Sequence, residues 1–159
     1  VVNDFKNYQF IVAGLNHINK DIYDKAVSKS GSSVKVIYNQ TYNLLKNSNA
    51  AIVTSGTATL ETALIGTPQI VCYVTNSFNI FLAKLFVKIK FISLVNLILN
   101  KEVVKELIQT DFNKKMIKTE LNQILKEKRN QIKKDYKDLR NLLKGDEIEA
   151  KIVNHIISN

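Results

Sequence analysis

Residues 50–74 read Ala50-Ala51-Ile52-Val53-Thr54-Ser55-Gly56-Thr57-Ala58-Thr59-Leu60-Glu61-Thr62-Ala63-Leu64-Ile65-Gly66-Thr67-Pro68-Gln69-Ile70-Val71-Cys72-Tyr73-Val74. The apolar run 50–54 has strand length, and Ser55-Gly56 interrupts it. Residues 57–65 read as a helix, broken by Gly66-Thr67-Pro68 before a second apolar run at 69–74. Continuously apolar strands separated by a helix imply a parallel sheet covered on both faces. Upstream, Tyr8–Gly14 is a strand stopped by Gly, 19–30 a helix, Val34–Tyr38 a strand and Thr41–Lys46 a short helix. In that first helix Asp21 and Asp24 lie early and Lys25 and Lys29 late, the order its dipole favours. The first half is therefore α/β.

Downstream the pattern changes. Phe78, Phe81, Leu82, Leu85, Phe86 and Ile89 recur at helical spacing, while Lys84 and Lys88 share another face. The run 78–99 has the length of a membrane span, but Lys84, Lys88 and Lys90 are too costly for one. Two readings stay open for it: a helix docked on its own sheet, or a basic amphipathic helix lying on a membrane. Residues 113–144 read as one long helix with an apolar seam at Met116, Ile117, Leu121, Ile124 and Leu125. Gly145 ends it, and 146–158 read as a last amphipathic helix. The expected organisation is an α/β domain over 1–112 and a helical extension over 113–159.

The chain has 159 residues, 45% hydrophobic and 23% charged, which excludes disorder over its whole length. One Cys and two His leave no material for a disulfide framework or a structural zinc cluster, so no metal is expected. No charged-then-apolar leader follows Val1, so a secretory signal is not expected. The formal charge of +9 is uneven, with +2 over residues 1–80 and +7 over 81–159. A basic half suits a polyanion: nucleic acid, an anionic membrane or a phosphorylated substrate. Aromatic residues are sparse among the lysines of 126–144, so a solvated helix face is favoured there over nucleic-acid binding.

Chemistry concentrates at Thr54–Glu61. A buried strand running into Ser, Gly and Thr before a helix aims free N–H groups and the helix dipole at one point, where a phosphate is stabilised. Gly56 permits close approach, and the Ser55 and Thr57 hydroxyls are further donors. In open parallel sheets ligands bind beyond the carboxyl ends of the strands, where this turn lies. Glu61, one turn on, suits a sugar or ribose diol. The ordinary alternative is that Ser55 or Thr57 caps the helix and Glu61 completes a capping arrangement. G-x-x-x-x-G-K and G-x-G-x-x-G are both absent, which disfavours a kinase or a dinucleotide dehydrogenase. G-x-S-x-G is absent too, so Ser55 is not read as a nucleophile.

The series Ser55-Gly56-Thr57-Ala58-Thr59-Leu60-Glu61 and Gly66-Thr67-Pro68 resembles the donor-nucleotide motif of the lipid-A-disaccharide synthases. The likeness extends to Tyr38–Leu45, Ala83-Lys84, Ile92–Ile98 and Glu102–Gln109, and covers about residues 8–125. It implies a Rossmann-like domain, one half of a two-domain GT-B fold, with C-terminal helices. The implied activity is inverting, metal-free transfer of diacylglucosamine from UDP to diacylglucosamine 1-phosphate, with no cofactor. Other UDP-sugar GT-B enzymes, transferases or epimerases, are the alternative, and beyond them a non-catalytic basic membrane-binding module.

By position, the resemblance implies that Glu61 holds the ribose hydroxyls and that Ser55, Gly56 and Thr57 face the diphosphate. Gln40 and Thr41 would grip the uracil, Asn96 would be a donor or acceptor contact and the catalytic candidate, and Lys101 would stand where relatives carry Arg. Phe78, Phe81, Lys84, Leu85 and Lys88 would meet acyl chains and anionic headgroups. Val95 replaces the usual Pro and Asn100 a common Gly, so the loop around Asn96 is expected to differ. The acceptor domain and its general base would lie outside this chain, which alone is expected to be inactive. The implied location is the cytoplasmic face of a Gram-negative inner membrane. Implied partners are the two lipid substrates, the membrane surface, the N-terminal domain and a second copy, with no nucleic acid. Cys72 is read as an inert core thiol, His17 as a loop residue and His155 as a surface residue.

Overall fold

The strand–helix alternation expected over residues 8–74 is realised almost residue for residue. The computed structural model describes residues 1–29, 34–74 and 90–144. They fall into two units, one from Val1 to Asn47 and one beginning at Ser48.

In the first unit a short 3-10 turn, Val2–Asp4, leads to β1 (Phe10–Gly14), α1 (Lys20–Ser28), β2 (Val34–Tyr38) and α2 (Thr41–Asn47). β1 and β2 pair in parallel from Phe10↔Val34 to Gly14↔Tyr38. α1 starts where the Asn19 side chain accepts the Asp21 N–H at 2.9 Å, satisfying an otherwise open donor. Phe5 is buried edge-on against Tyr8 and Phe10. A Cβ at Gly14 would lie 2.6 Å from the Tyr38 ring, so only glycine lets the two strands close there.

The second unit runs β3 (Ala51–Thr54), α3 (Thr57–Ile65), β4 (Gln69–Tyr73), α4 (Leu94–Leu99), β5 (Lys105–Ile108), α5 (Lys114–Leu125) and α6 (Arg129–Leu143). Its ladder is parallel in the order β3-β4-β5. Gln69, Ile70, Val71 and Cys72 of β4 are all buried, and since successive side chains alternate, both faces of this strand are covered. The edge strand β3 instead exposes Ile52 and Thr54, and β1 exposes Ile11 and Ala13. Apolar continuity thus overstated burial at the edges.

Two further readings are corrected, and one strand that the sequence reading did not assign is added. β5 is a strand within a stretch whose Lys105-Glu106 pair hides the apolar run, and pairing to β4 defines it. The long helix of 113–144 is two helices, parted at Lys126, whose φ of −123° and ψ of −91° leave the helical region. α5 packs on β4 and β5 while α6 packs on α3 and α4, which one straight rod could not do. Of 90–99, only Leu94–Leu99 is helical. Among the described residues no helix is long and apolar enough to cross a membrane. The expected helices at 78–89 and 146–158, with Phe78, Phe81, Lys84, Leu85, Lys88 and His155, lie outside the described residues.

α6 is held at several points. Ile132, Tyr136 and Leu139 are buried, each removing roughly 1.5–3 kcal/mol worth of apolar surface from water. Arg129 Nη1 donates to the Asn49 carbonyl at 2.6 Å, and Arg140 Nη1 to the carbonyls of Ala63 and Leu64 at 3.3 Å. The Arg140 cation therefore sits at the C-terminal end of α3, where the dipole favours it. Gly66 closes that end at φ 98°, a left-handed turn suited to glycine.

Burial pushes the Cys72 thiol from 9.0 up to about 11 and raises the Tyr136 phenol as well. Both are acids whose folded form holds its proton longer than the unfolded chain does. The unfolded state consequently loses protons first, and stability falls as pH rises above about 9. Thermal unfolding at pH 8 and pH 10 should show a fall in midpoint that is smaller in Cys72→Ala than in the wild type. An equal fall in both would contradict this.

Candidate functional site

β3 carries its ladder one step beyond Thr54, because Ser55 N–H donates to the Cys72 carbonyl at 3.1 Å. The chain then turns at Gly56, with φ 146° and ψ −165°, a combination that side chains disfavour. Chain neighbours aside, no atom of the described residues lies within 4 Å of where a Gly56 Cβ would sit, so conformation rather than crowding selects glycine.

Gly56 is the N-cap of α3 and offers no side chain to it. The Thr59 N–H and hydroxyl both donate to the Gly56 carbonyl, at 3.1 and 2.8 Å. Thr57 and Ala58 are exposed, and their amides have no partner among the described residues. By contrast α1, α4 and α5 are capped by the side chains of Asn19, Ser93 and Asn113. The ordinary capping alternative is not formed: neither Ser55 nor Thr57 caps α3, and Glu61 lies two residues beyond the capping-box position. Glu61 is half-buried, and its carboxylate has no hydrogen bond or ion pair among the described residues. The turn accordingly offers unsatisfied donors at a dipole's positive end, and a carboxylate one turn away.

The other expected site residues are placed differently. Ser55 Oγ donates to the Ile92 carbonyl at 3.0 Å, so its hydrogen faces the protein while its lone pairs stay available. Asn96 is fully buried and saturated: its Nδ2 donates to Val104 O and Glu106 Oε1, and its Oδ1 accepts from the Val103 and Val104 amides. In this structure its side chain is fully used in joining α4 to the chain that enters β5, with no hydrogen-bonding capacity left over for the contact expected of it. Lys101 Nζ pairs with Asp135 of α6 at 2.7 Å, with Asp135 nearly buried. That pair ties the residue just beyond the end of α4 to α6. Gln40 and Thr41 open α2 in the first unit, Gln40 exposed and its carbonyl accepting the Leu44 N–H at 2.8 Å.

Sequence reasoning missed Glu106. Its Oε2 accepts the Ile92 N–H at 2.9 Å, and its Oε1 accepts from Ser93 N, Ser93 Oγ and Asn96 Nδ2 at 2.9, 2.8 and 2.9 Å. The signal was present, since a carboxylate inside an apolar strand needs donors around it. Among the described residues no group of three His, Cys, Asp or Glu side chains is placed to hold a metal ion.

Parallel strands flanked by helices, with an open helix start beyond a strand's carboxyl end, define a Rossmann-like α/β domain. Residues 1–156 match the family described as lipid-A-disaccharide synthetase. The chain is 34% identical over 138 residues to the lipid-A-disaccharide synthase of Syntrophus aciditrophicus, covering 85% of this chain and 36% of that protein. It is 34% identical over 128 residues to that of Colwellia psychrerythraea, covering 79% and 33%. Over 75 residues, 47% of this chain and 19% of the relative, it is 44% identical to the synthase of a Sulfurihydrogenibium species. The chain belongs to the lipid-A-disaccharide synthetase family. It spans about a third of the length of the first two of these relatives.

Two substitutions test this geometry. Gly56→Ala should destabilise the chain by roughly 1–3 kcal/mol through backbone strain alone, read by denaturant unfolding. Asn96→Ala should cost about 3 kcal/mol or more, because it strands the buried Val103 and Val104 amides just ahead of β5 and removes one donor from the Glu106 carboxylate. An Asn96→Ala protein as stable as the wild type would contradict the structural reading of that side chain.

Proposed function

We propose that this chain is the UDP-sugar-binding half of an inverting GT-B glycosyltransferase that makes the lipid A disaccharide. The whole protein would transfer 2,3-diacylglucosamine from UDP to 2,3-diacylglucosamine 1-phosphate and release UDP. The observation that carries this reading is the uncapped start of α3 behind Gly56, in a chain of this family. Breaking the glycosidic bond leaves negative charge on the diphosphate. Backbone amides and a helix dipole already pointed at that charge stabilise it without reorganising. Thr57 and Ala58 amides would meet the phosphate oxygens, with the Thr57 hydroxyl beside them. Glu61, half-buried and unpartnered among the described residues, would accept both ribose hydroxyls. Gln40 and Thr41 would hold the uracil, while Asn96 and Lys101 act by holding α4 in place.

Residues 1–112 would form the nucleotide-sugar domain and 113–159 its helical extension. The acceptor domain, with the base that deprotonates the acceptor hydroxyl, would be supplied by the rest of the protein. Phe78, Phe81, Lys84, Leu85 and Lys88 would serve contact with acyl chains and anionic headgroups at the cytoplasmic face of the inner membrane, with dimer formation a further property of the whole enzyme. The +7 charge of residues 81–159 suits such a surface.

UDP titration of the whole protein by calorimetry, with ADP as the control, tests the reading. Saturable binding that prefers UDP is expected, and Glu61→Ala should weaken it by about 10- to 100-fold, the worth of one charged hydrogen-bonding group. A folded Glu61→Ala protein that binds UDP like the wild type would remove Glu61 from the ribose.

A further inference from the structure

Among the described residues, chain neighbours aside, nothing lies within 4 Å of where a Gly56 Cβ would sit, and the residue is exposed. What fixes the turn must therefore reach it through its neighbours. On the helix side, Thr59 returns two hydrogen bonds to the Gly56 carbonyl. On the strand side, the Ser55 side chain has one hydrogen bond among the described residues, to the Ile92 carbonyl at 3.0 Å. Ile92 is not in a helix or strand, so no ladder holds it. Its own amide is held by Glu106 Oε2 at 2.9 Å, and the next residue, Ser93, is held twice by Oε1. Glu106 is anchored in turn by β5, paired with the central strand at Val71.

We propose that Glu106 is a positioning residue for the nucleotide-binding turn, acting through the Ile92 peptide on the Ser55 hydroxyl. The proposal rests on the UDP reading above and goes beyond it, assigning a role to a side chain that need not touch the nucleotide. Its chemistry is specific. All four partners of the carboxylate are donors, so Glu106 must be acceptor-only at both oxygens. In Glu106→Gln the side-chain oxygen stays with the three donors on the Oε1 side, because turning the amide N–H₂ toward them would oppose three donors rather than one. The N–H₂ then faces the Ile92 N–H, and donor meets donor. Glu106→Gln thus releases Ile92 while keeping Ser93 and Asn96. Ser55→Ala cuts the same connection at its other end and leaves the Ser55 N–H to Cys72 ladder bond intact.

The experiment is a double-mutant cycle on UDP affinity in the whole protein, using wild type, Ser55→Ala, Glu106→Gln and the double variant, with thermal unfolding of each. Each single change should weaken UDP by about 5- to 10-fold, the worth of one hydrogen bond. The double variant should be within about twofold of either single variant, because both cut one connection. A folded Glu106→Gln protein with wild-type affinity overturns the proposal. So do effects that multiply, which would mean that Ser55 acts on the phosphate independently of Glu106. Should the amide variant unfold, Ser55→Ala carries the test from the other end of the connection: a folded Ser55→Ala protein with wild-type UDP affinity overturns the proposal. A wild-type protein that does not bind UDP overturns the nucleotide reading and this role together, an outcome distinct from UDP binding that ignores position 106.

Discussion

The Gln69 side chain, fully buried in the central strand, donates to the Thr59 carbonyl at 2.8 Å and to the Tyr136 hydroxyl at 3.2 Å. That one amide joins β4, α3 and α6 in the core of the second unit. Its Oε1 has no hydrogen-bond partner among the described residues. From this point outward α3 is fixed: Thr59, Thr62 and Ala63 are buried, and its last carbonyls meet Arg140. The first turn is the part of the helix left open to a ligand. A rigid helix with an open positive end is the arrangement that anion binding needs, since donors that do not have to reorganise stabilise charge most.

α4 is the complementary case. Its start is closed from inside by Ser93 and the Glu106 carboxylate, and its residue Asn96 is locked by four hydrogen bonds to Val103, Val104 and Glu106, at the entry to β5. The polar groups there are satisfied by the protein itself, whereas the Thr57 and Ala58 amides at the start of α3 have no partner among the described residues. Two helix starts in one unit therefore have different fates, decided by which side chains the neighbouring strand supplies. β5 supplies a carboxylate to α4, while Gly56 supplies nothing to α3.

Much of this was legible from local signals. Gly66-Thr67-Pro68 marked the end of α3, Asn19 lay where α1 begins, and the strand bounds at Val34–Tyr38 coincide with the apolar run. The turn at Ser55-Gly56 was also readable, because its geometry follows from the chain's own order of strand, glycine and helix. What escaped was non-local. Asn96 looked like a ligand contact because its partners, Val103, Val104 and Glu106, are seven to ten residues away and meet it only once β5 pairs with β4. Lys101 looked free because Asp135 lies 34 residues on. The split at Lys126 was hidden for the same reason: helical periodicity ran on while the packing partners changed from sheet to helices.

Central to the account is the claim that the amides opening α3 hold the diphosphate. Following backbone amide resonances of the whole protein by NMR during UDP titration addresses it most directly. Gly56, Thr57 and Ala58 should shift most among the residues of β3 and α3, and should saturate together with the binding isotherm. Saturable UDP binding with those three amides unmoved would place the phosphates elsewhere and contradict the account.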